Sequence, residues 1–367
     1  MLKRIIVLMT IMIALFGCAK KSSEWTEQHV LQLAAAIPTV GNPLDLDTDD
    51  ERVYVAEDQA GISIIDLNDY SKTWLTAIAT GDTTTMQLRR IRRASHINSL
   101  DLLFLSETYG SDNIIVINTA NPDSLVLSDQ ITGGTSDIRD MKFFAPGAGS
   151  NYVYEGIFIT GQYIKHGYSS YVIPGLPPIF SPVTIDAAAT SFPINPIGAV
   201  MSDTHIYVAA DQLGLVIYNR ATGNPVGKVD LPGYAQKVKV VGNYAYLACR
   251  HEGMQIVNVA NPAAPVRVSG IDTSGYATNI DVWNNYAVVS SGGGGIYLFD
   301  ITNPANPVLK DNITSCGYAN NVKFHEGKVL VASRDLGLLV SQRQHSPSLR
   351  VLVASRDLGL LVYNILP

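Results

Sequence analysis

Cysteine is scarce in this chain, and so is charge. Three cysteines in 367 residues, Cys18, Cys249 and Cys316, are too few for a disulfide scaffold. Only 16% of residues are charged while 47% are hydrophobic, which excludes a disordered chain or a coiled coil. The 26 bases are outnumbered by 32 acids, so a net charge of −6 lacks the basic footprint that phosphate neutralisation needs, and no nucleic-acid partner is expected. After residue 18 no apolar run approaches the roughly 20 residues that a helix needs to cross a bilayer. Catalytic signatures are missing too. The seven histidines are scattered, His251-Glu252 lacks a second histidine four residues on, and no Gly-x-Ser-x-Gly elbow occurs. Gly292-Gly293-Gly294-Gly295 reads as a strand-to-strand turn with no helix after it, so it cannot form a phosphate cradle. No cofactor and no metal are expected.

The N-terminus carries its own signal. Lys3 and Arg4 precede an apolar run from Ile5 to Phe16 that is interrupted only by Thr10, too short to span a membrane and bounded by the small Gly17. The string Leu15-Phe16-Gly17-Cys18 resembles the lipobox of bacterial lipoproteins. That resemblance implies cleavage of residues 1–17, lipidation of Cys18, and attachment to a membrane through acyl chains that each contribute about 0.8 kcal/mol per buried methylene. Cleavage leaves 24 bases against 32 acids, a mature charge of −8. Residues 18–28 then form the lipidated end and a tether. Ala19 is not the Asp that resembles an inner-membrane retention signal, so in a host with that sorting rule the expected location is extracytoplasmic, at the outer membrane or cell surface.

The remainder, 29–367, is organised by a repeat. Gly233-Tyr234-Ala235, Gly275-Tyr276-Ala277 and Gly317-Tyr318-Ala319 recur every 42 residues, each followed 20 residues later by a second glycine, Gly253, Gly295 or Gly337. Four strand-like stretches fall in each unit, divided by turns such as Gly242-Asn243, Asn261-Pro262 and Asn303-Pro304. Four short strands per ~42 residues match one blade of a β-propeller, whose two apolar faces are buried only when blades stack around an axis. The expected fold is all-β: a single propeller of seven four-stranded blades, with six the alternative count. Third strands are placed near Asp66, Asn118, Ile173, Asn219, Asn258, Asp300 and in the 340s or 360s, and the wider early spacings are assigned to loops around Ala145-Pro146-Gly147 and Pro174-Gly175-Leu176.

The chain ends after a third strand, so a fourth is missing there. Val30-Leu31-Gln32-Leu33, with Ile37 four residues before Gly41, aligns with fourth strands that place Ile271 and Ile313 four residues before their glycines. An N-terminal strand is therefore expected to close the ring and leave no large open edge; the alternative for Glu24–Ala36 is a short helix. One feature breaks the pattern. Residues 329–340 and 351–362 are identical, at an offset of 22, about half a blade. One copy is expected to pack, and the other, with residues 341–350, to form an extra hairpin or a disordered protrusion.

Gly214-Leu215-Val216-Ile217-Tyr218-Asn219 and Gly295-Ile296-Tyr297-Leu298-Phe299-Asp300, each preceded by a Tyr-Val-Ala-like strand, resemble the LVIVD-repeat family of bacterial and archaeal surface propellers. The resemblance is good over 200–340, fair over 38–128 and poor over 129–200. It implies a propeller at the cell surface and brings no activity or catalytic residues with it.

In a propeller, loops between blades share a face with the turns between second and third strands. That face is expected to carry Tyr234, Tyr276 and Tyr318 together with Asp58, Asp211, Arg250 and Arg334, and Glu57 beside them. Tyrosine combines a flat apolar ring with a hydroxyl, so this set suits a protein or glycan partner, unless Gly-Tyr-Ala serves packing alone. The rival class is an enzyme, a hydrolase, lyase or lactonase, with its site in the central channel. Asp45-Leu46-Asp47-Thr48-Asp49-Asp50 superficially resembles a calcium loop but has Asp50 where glycine is needed and Ala56 where a bidentate Glu is needed. It reads instead as a first strand and its turn. Arg89-Arg90 and Arg92-Arg93 form the one dense basic cluster, a solvated edge or a contact for phosphate or acidic glycan. Cys249 and Cys316 lie too far apart in the repeat to pair and are read as buried thiols.

Overall fold

The computed structural model describes residues 31–365 apart from 34, 82, 109–112, 133–136, 148, 172–177, 192, 336, 341–348 and 356–358. The signal segment, Cys18 and the tether lie outside the described residues. Those residues form a β-propeller, and their strands fall into seven sheets.

Five sheets are plain antiparallel four-strand meanders. The inner strands are Asp45–Thr48 in blade 1, Ile138–Phe144 in blade 3, Gly198–Met201 in blade 4, Lys237–Val241 in blade 5 and Asn279–Trp283 in blade 6. Blade 2, starting with Ile91–Ile97, has the same four strands plus a small hairpin, Ala77–Ala79 with Thr85–Gln87, joined in parallel to its outer strand Val126–Ile131. This hairpin, not a loop, accounts for the wide spacing between Asp66 and Asn118. The third strand of blade 3 ends at Ser170, slightly before the expected position.

Seven hydrophobic clusters lie between the blades, one for each neighbouring pair, and the cluster joining blade 7 to blade 1 closes the ring. Alternation along a strand divides its side chains between two of these clusters. In Tyr244–Ala248, Ala245 and Leu247 face blade 4 while Tyr246 and Ala248 face blade 6, and all four are buried. Strands buried on both faces have little room for Lys or Glu, which is why charge is sparse. Aromatic stacking adds to the junction of blades 2 and 3, where Phe104 and Phe143 lie 3.9 Å apart in near-parallel planes. At Gly253 the backbone takes φ +62°, and a Cβ would sit 2.4 Å from the Ile271 carbonyl oxygen, so only glycine fits. On the opposite face the Asn-Pro turns are held by side-chain caps, for instance Asn261 Oδ1 accepting from the Ala263 amide at 3.2 Å.

The seventh sheet is a composite. Its inner strands are Ala319–His325 and Gly327–Ser333, and the N-terminal segment forms two short strands, Leu31–Leu33 and Ala35–Ile37, not a helix. Ala35–Ile37 pairs with Gly337–Val340 of the first copy, with Ile37 opposite Leu338. This is the register in which Ile271 faces Met254 and Ile313 faces Ile296, as the glycine spacing implied. Leu31–Leu33 pairs instead with the residues that follow the second copy, Leu33 opposite Tyr363 and Gln32 opposite Asn364. The second copy folds as an antiparallel hairpin of Leu349–Ser355 and Gly359–Ile365. It does not project from the ring: Val353, Ala354 and Ser355 run parallel to their identical counterparts Val331, Ala332 and Ser333.

Candidate functional site

Four small β-bridges bring the second-to-third turns onto the same face as the loops that enter the next blade: Asp58 with Ile91, Asp211 with Ala235, Arg250 with Ala277, and Gly292 with Ala319. Each turn residue adopts a left-handed conformation, with φ of 50°, 51°, 44° and 50° in that order. The bridges tie neighbouring blades together and fix this face rigidly.

They also separate the roles within Gly-Tyr-Ala. The glycines allow close approach, since a Cβ at Gly233 would lie 2.4 Å from the Cys249 carbonyl oxygen. The alanines Ala235, Ala277 and Ala319 are fully buried. The tyrosines do not fill the core: Tyr234 is 37% and Tyr276 43% exposed, and Tyr318 is half-buried. Each ring lies against a cation or an imidazole. Arg250 sits over Tyr234 at 5.0 Å, Arg334 over Tyr318 at 4.3 Å, and His251 contacts Tyr276 with centroids 4.1 Å apart. At the equivalent place in blade 2 stands Arg90, which pairs with Asp58 at 3.7 Å. Blades 5 to 7 thus present an aromatic arc, continued by polar groups: Asp211 accepts from Asn195 Nδ2 at 3.2 Å and lies 4.0 Å from Arg250. Glu57 leaves the expected set. It is fully buried, with Oε2 accepting from the amides of Val40 and Gly41, and burial pushes its carboxyl up from the ordinary range.

The central channel holds a second group of polar residues, unseen in the sequence. Its cavity of about 310 Å³ is lined by the inner strands. Asp45 and Asp47 face it, together with Lys142, Lys237, Lys239, Asp281 and Lys323. Arg92, Arg93 and Arg139 surround its mouth with Asp140. The basic cluster is therefore split, Arg89 and Arg90 exposed on the rim and Arg92 and Arg93 turned to the channel. The carboxylates latch blades together by accepting amides of the next inner strand. Asp45 accepts from Ala94 at 3.2 Å, Asp47 from His96 at 2.9 Å, Asp140 from Ala199 at 3.0 Å and Asp281 from Phe324 at 2.9 Å. Between blades 2 and 3 the neutral Ser95 does the same for Phe143 at 3.0 Å.

The lysines pair with these carboxylates: Lys142 with Asp47 at 2.5 Å, Lys239 with Asp281 at 2.8 Å, Lys237 with Asp140, and Lys323 also with Asp47. Desolvation brings the Lys142 and Lys323 ammonium groups down to about 8. The nearby Asp281 carboxylate instead holds Lys239 above its usual range. The acids that resembled a calcium loop serve elsewhere: Asp45 and Asp47 in the channel, and Asp49 as a turn cap accepting from the amides of Glu51 at 2.8 Å and Arg52 at 2.6 Å. Cys249 and Cys316 are free, buried thiols in clusters between blades 4 and 5 and blades 6 and 7, and burial pushes both up to about 12.

Closed radial stacking, inter-blade cores and a central channel define the protein as a β-propeller. The LVIVD repeat model matches twice, over residues 232–273 and 274–315, which are blades 5 and 6. The fold is similar to the WD40 propeller domain of Doa1, with a TM-score of 0.63 at 12% identity, covering 91% of this chain and 96% of that one. The Myceliophteria thermophila Cps50 (Swd1) propeller domain gives 0.63 at 7% identity over 92% and 100%. The computationally designed Ika8 protein gives 0.56 at 10% identity over 91% and 100%. At these identities the likeness shows the fold alone. Curated proteins gave no match.

Proposed function

We propose that this protein is a lipid-anchored, extracytoplasmic interaction module that holds a protein or glycan against the aromatic arc of blades 5 to 7. One observation carries this reading: within Gly-Tyr-Ala the glycine and alanine do the packing, while Tyr234 and Tyr276 stand exposed and Tyr318 half-buried against Arg250, His251 and Arg334 on a face tied by β-bridges. Exposed aromatic rings on a rigid backbone offer contact area at small entropic cost. The lipobox at Cys18 supports the anchoring half of the proposal.

Two experiments test it. Labelled palmitate is expected to enter the wild-type protein and not the Cys18→Ser variant; equal labelling contradicts lipidation. A pull-down from outer-membrane extracts, with the propeller as bait, is expected to recover a partner that is lost when Tyr234, Tyr276 and Tyr318 are all changed to Ala. Equal recovery by that variant, or no recovery by either, contradicts the binding role.

A further inference from the structure

The central channel is positively charged inside an acidic protein. Four lumen lysines and three mouth arginines face four carboxylates, and of the arginines Arg139 is also engaged outside, by Asp137 at 3.2 Å. Low-dielectric walls focus such a field on the lumen.

The imbalance is sharpest deep in the channel. There Lys142, Lys239 and Lys323 form their ion pairs with two carboxylates, Asp47 and Asp281, while Asp45 lines the same cavity. Asp47 is saturated, since it holds two ammonium groups and accepts from the amides of His96 and Thr48, both at 2.9 Å. Asp281 serves Lys239 and the Phe324 amide. Each ammonium has three donors, and the side chains of Lys142, Lys239 and Lys323 are 37%, 41% and 25% exposed to the lumen. The ion pairs themselves cross between blades, Lys142 and Lys323 to Asp47 of blade 1 and Lys239 to Asp281 of blade 6, but two carboxylates do not balance three ammonium groups. The amide latches are made by the carboxylates, and at Ser95 a neutral group makes one. A surplus of cations around an accessible cavity with low-dielectric walls leaves a positive field that an anion can complete.

We infer that the channel binds a small oxyanion-bearing molecule, its anionic group seated among Lys142, Lys239 and Lys323 and drawn in past Arg92 and Arg93. The cavity, at about 310 Å³, suits a small molecule and not a polymer. This site is independent of the aromatic arc. The groups facing the two softer lysines, Lys142 and Lys323, are Asp45, Asp47, Asp140, Asp281, Lys237, Lys239 and Arg93, with His96 and His325 behind them; with these two ammoniums titrating near 8, binding weakens as pH rises through that value.

Calorimetric titration of the whole protein with sulfate, whose charge is constant over this pH range, and with succinate tests the inference against chloride at matched ionic strength. Saturable binding of one anion per chain is expected at pH 7. Lys142→Met is expected to weaken it at least about tenfold while Lys142→Arg retains it, because only the first removes the charge. The Met variant leaves Asp47 its Lys323 partner and backbone donors, so its fold is retained; a melting curve checks this, and Lys239→Gln serves as the second variant. Absence of saturable binding by the wild type, or unchanged affinity in a folded Lys142→Met or Lys239→Gln protein, overturns the site.

Discussion

Deleting residues 341–362 should leave a better-formed seventh blade. The N-terminal strand divides its pairing between the first copy and the residues that follow the second: Ile37, Ala36 and Ala35 face Leu338, Leu339 and Val340, whereas Leu33 and Gln32 face Tyr363 and Asn364. Joining Val340 to Tyr363 makes these partners one continuous strand that skips residue 34. The same one-residue shift occurs between third and fourth strands in blades 2, 4, 5 and 6. Among the described side chains, the core between blades 7 and 1 draws on first-copy residues Leu330, Ala332 and Leu338. The deletion removes strand Leu349–Ser355, which pairs with both Gly327–Ser333 and Gly337–Val340, so these two must then pair with each other, and a connection 22 residues shorter recovers loop-closure entropy of about 2–3 kcal/mol by the logarithmic length law. At roughly 2–4 °C per kcal/mol for domains of 150–250 residues, and less for a longer chain, Tm should rise by a few degrees. Differential scanning calorimetry of the two proteins measures this. A fall in Tm of more than about 5 °C, or an insoluble product, refutes the argument, because it means that the second copy carries essential packing.

Other outcomes follow from individual residues. Phe104→Ala empties the stacked junction of blades 2 and 3 and should cost about 3–5 kcal/mol in urea unfolding. Asp47→Asn strips Lys142 and Lys323 of their shared counter-charge and should destabilise by about 3–5 kcal/mol, with the loss shrinking as pH rises past 8 and the lysines neutralise. His166 is buried, and desolvation brings its imidazole down to about 4. Between pH 6.5 and about 4 the unfolded chain therefore binds the extra proton, so stability falls by about 3 kcal/mol on acidification, and His166→Gln should remove that part of the slope. Cys249 and Cys316 should resist iodoacetamide in the native protein and react only on unfolding; rapid native labelling contradicts their placement.

The propeller was legible because its constraints repeat. Gly-Tyr-Ala and the second glycine mark places where one blade touches the next, and the position of Ile37 relative to Gly41 carried the register of the closing strand. The hairpin of blade 2 was not legible: Ala77–Ala79 and Thr85–Gln87 are three residues each, too short to show alternation. The channel left a faint trace. Asp45 and Asp47, Lys237 and Lys239, Asn279 and Asp281, and Asn321 and Lys323 are polar residues two apart on inner strands, each pair separated by one residue. Taken singly each pair looks like a strand edge, and only the ring brings them to one axis. Glu57 misled for a related reason, since sequence shows its turn but not the Val40 and Gly41 amides that draw the carboxylate inward.

The aromatic arc as a partner-binding face is tested most directly by site-specific photocrosslinking on intact cells. A benzophenone side chain in place of Tyr276 is expected to give a discrete adduct. One in place of Val266, 61% exposed at the start of an outer strand beside the Asn261-Pro262 turn, is expected to give none. Adducts from position 266 alone, or from neither position, contradict the account.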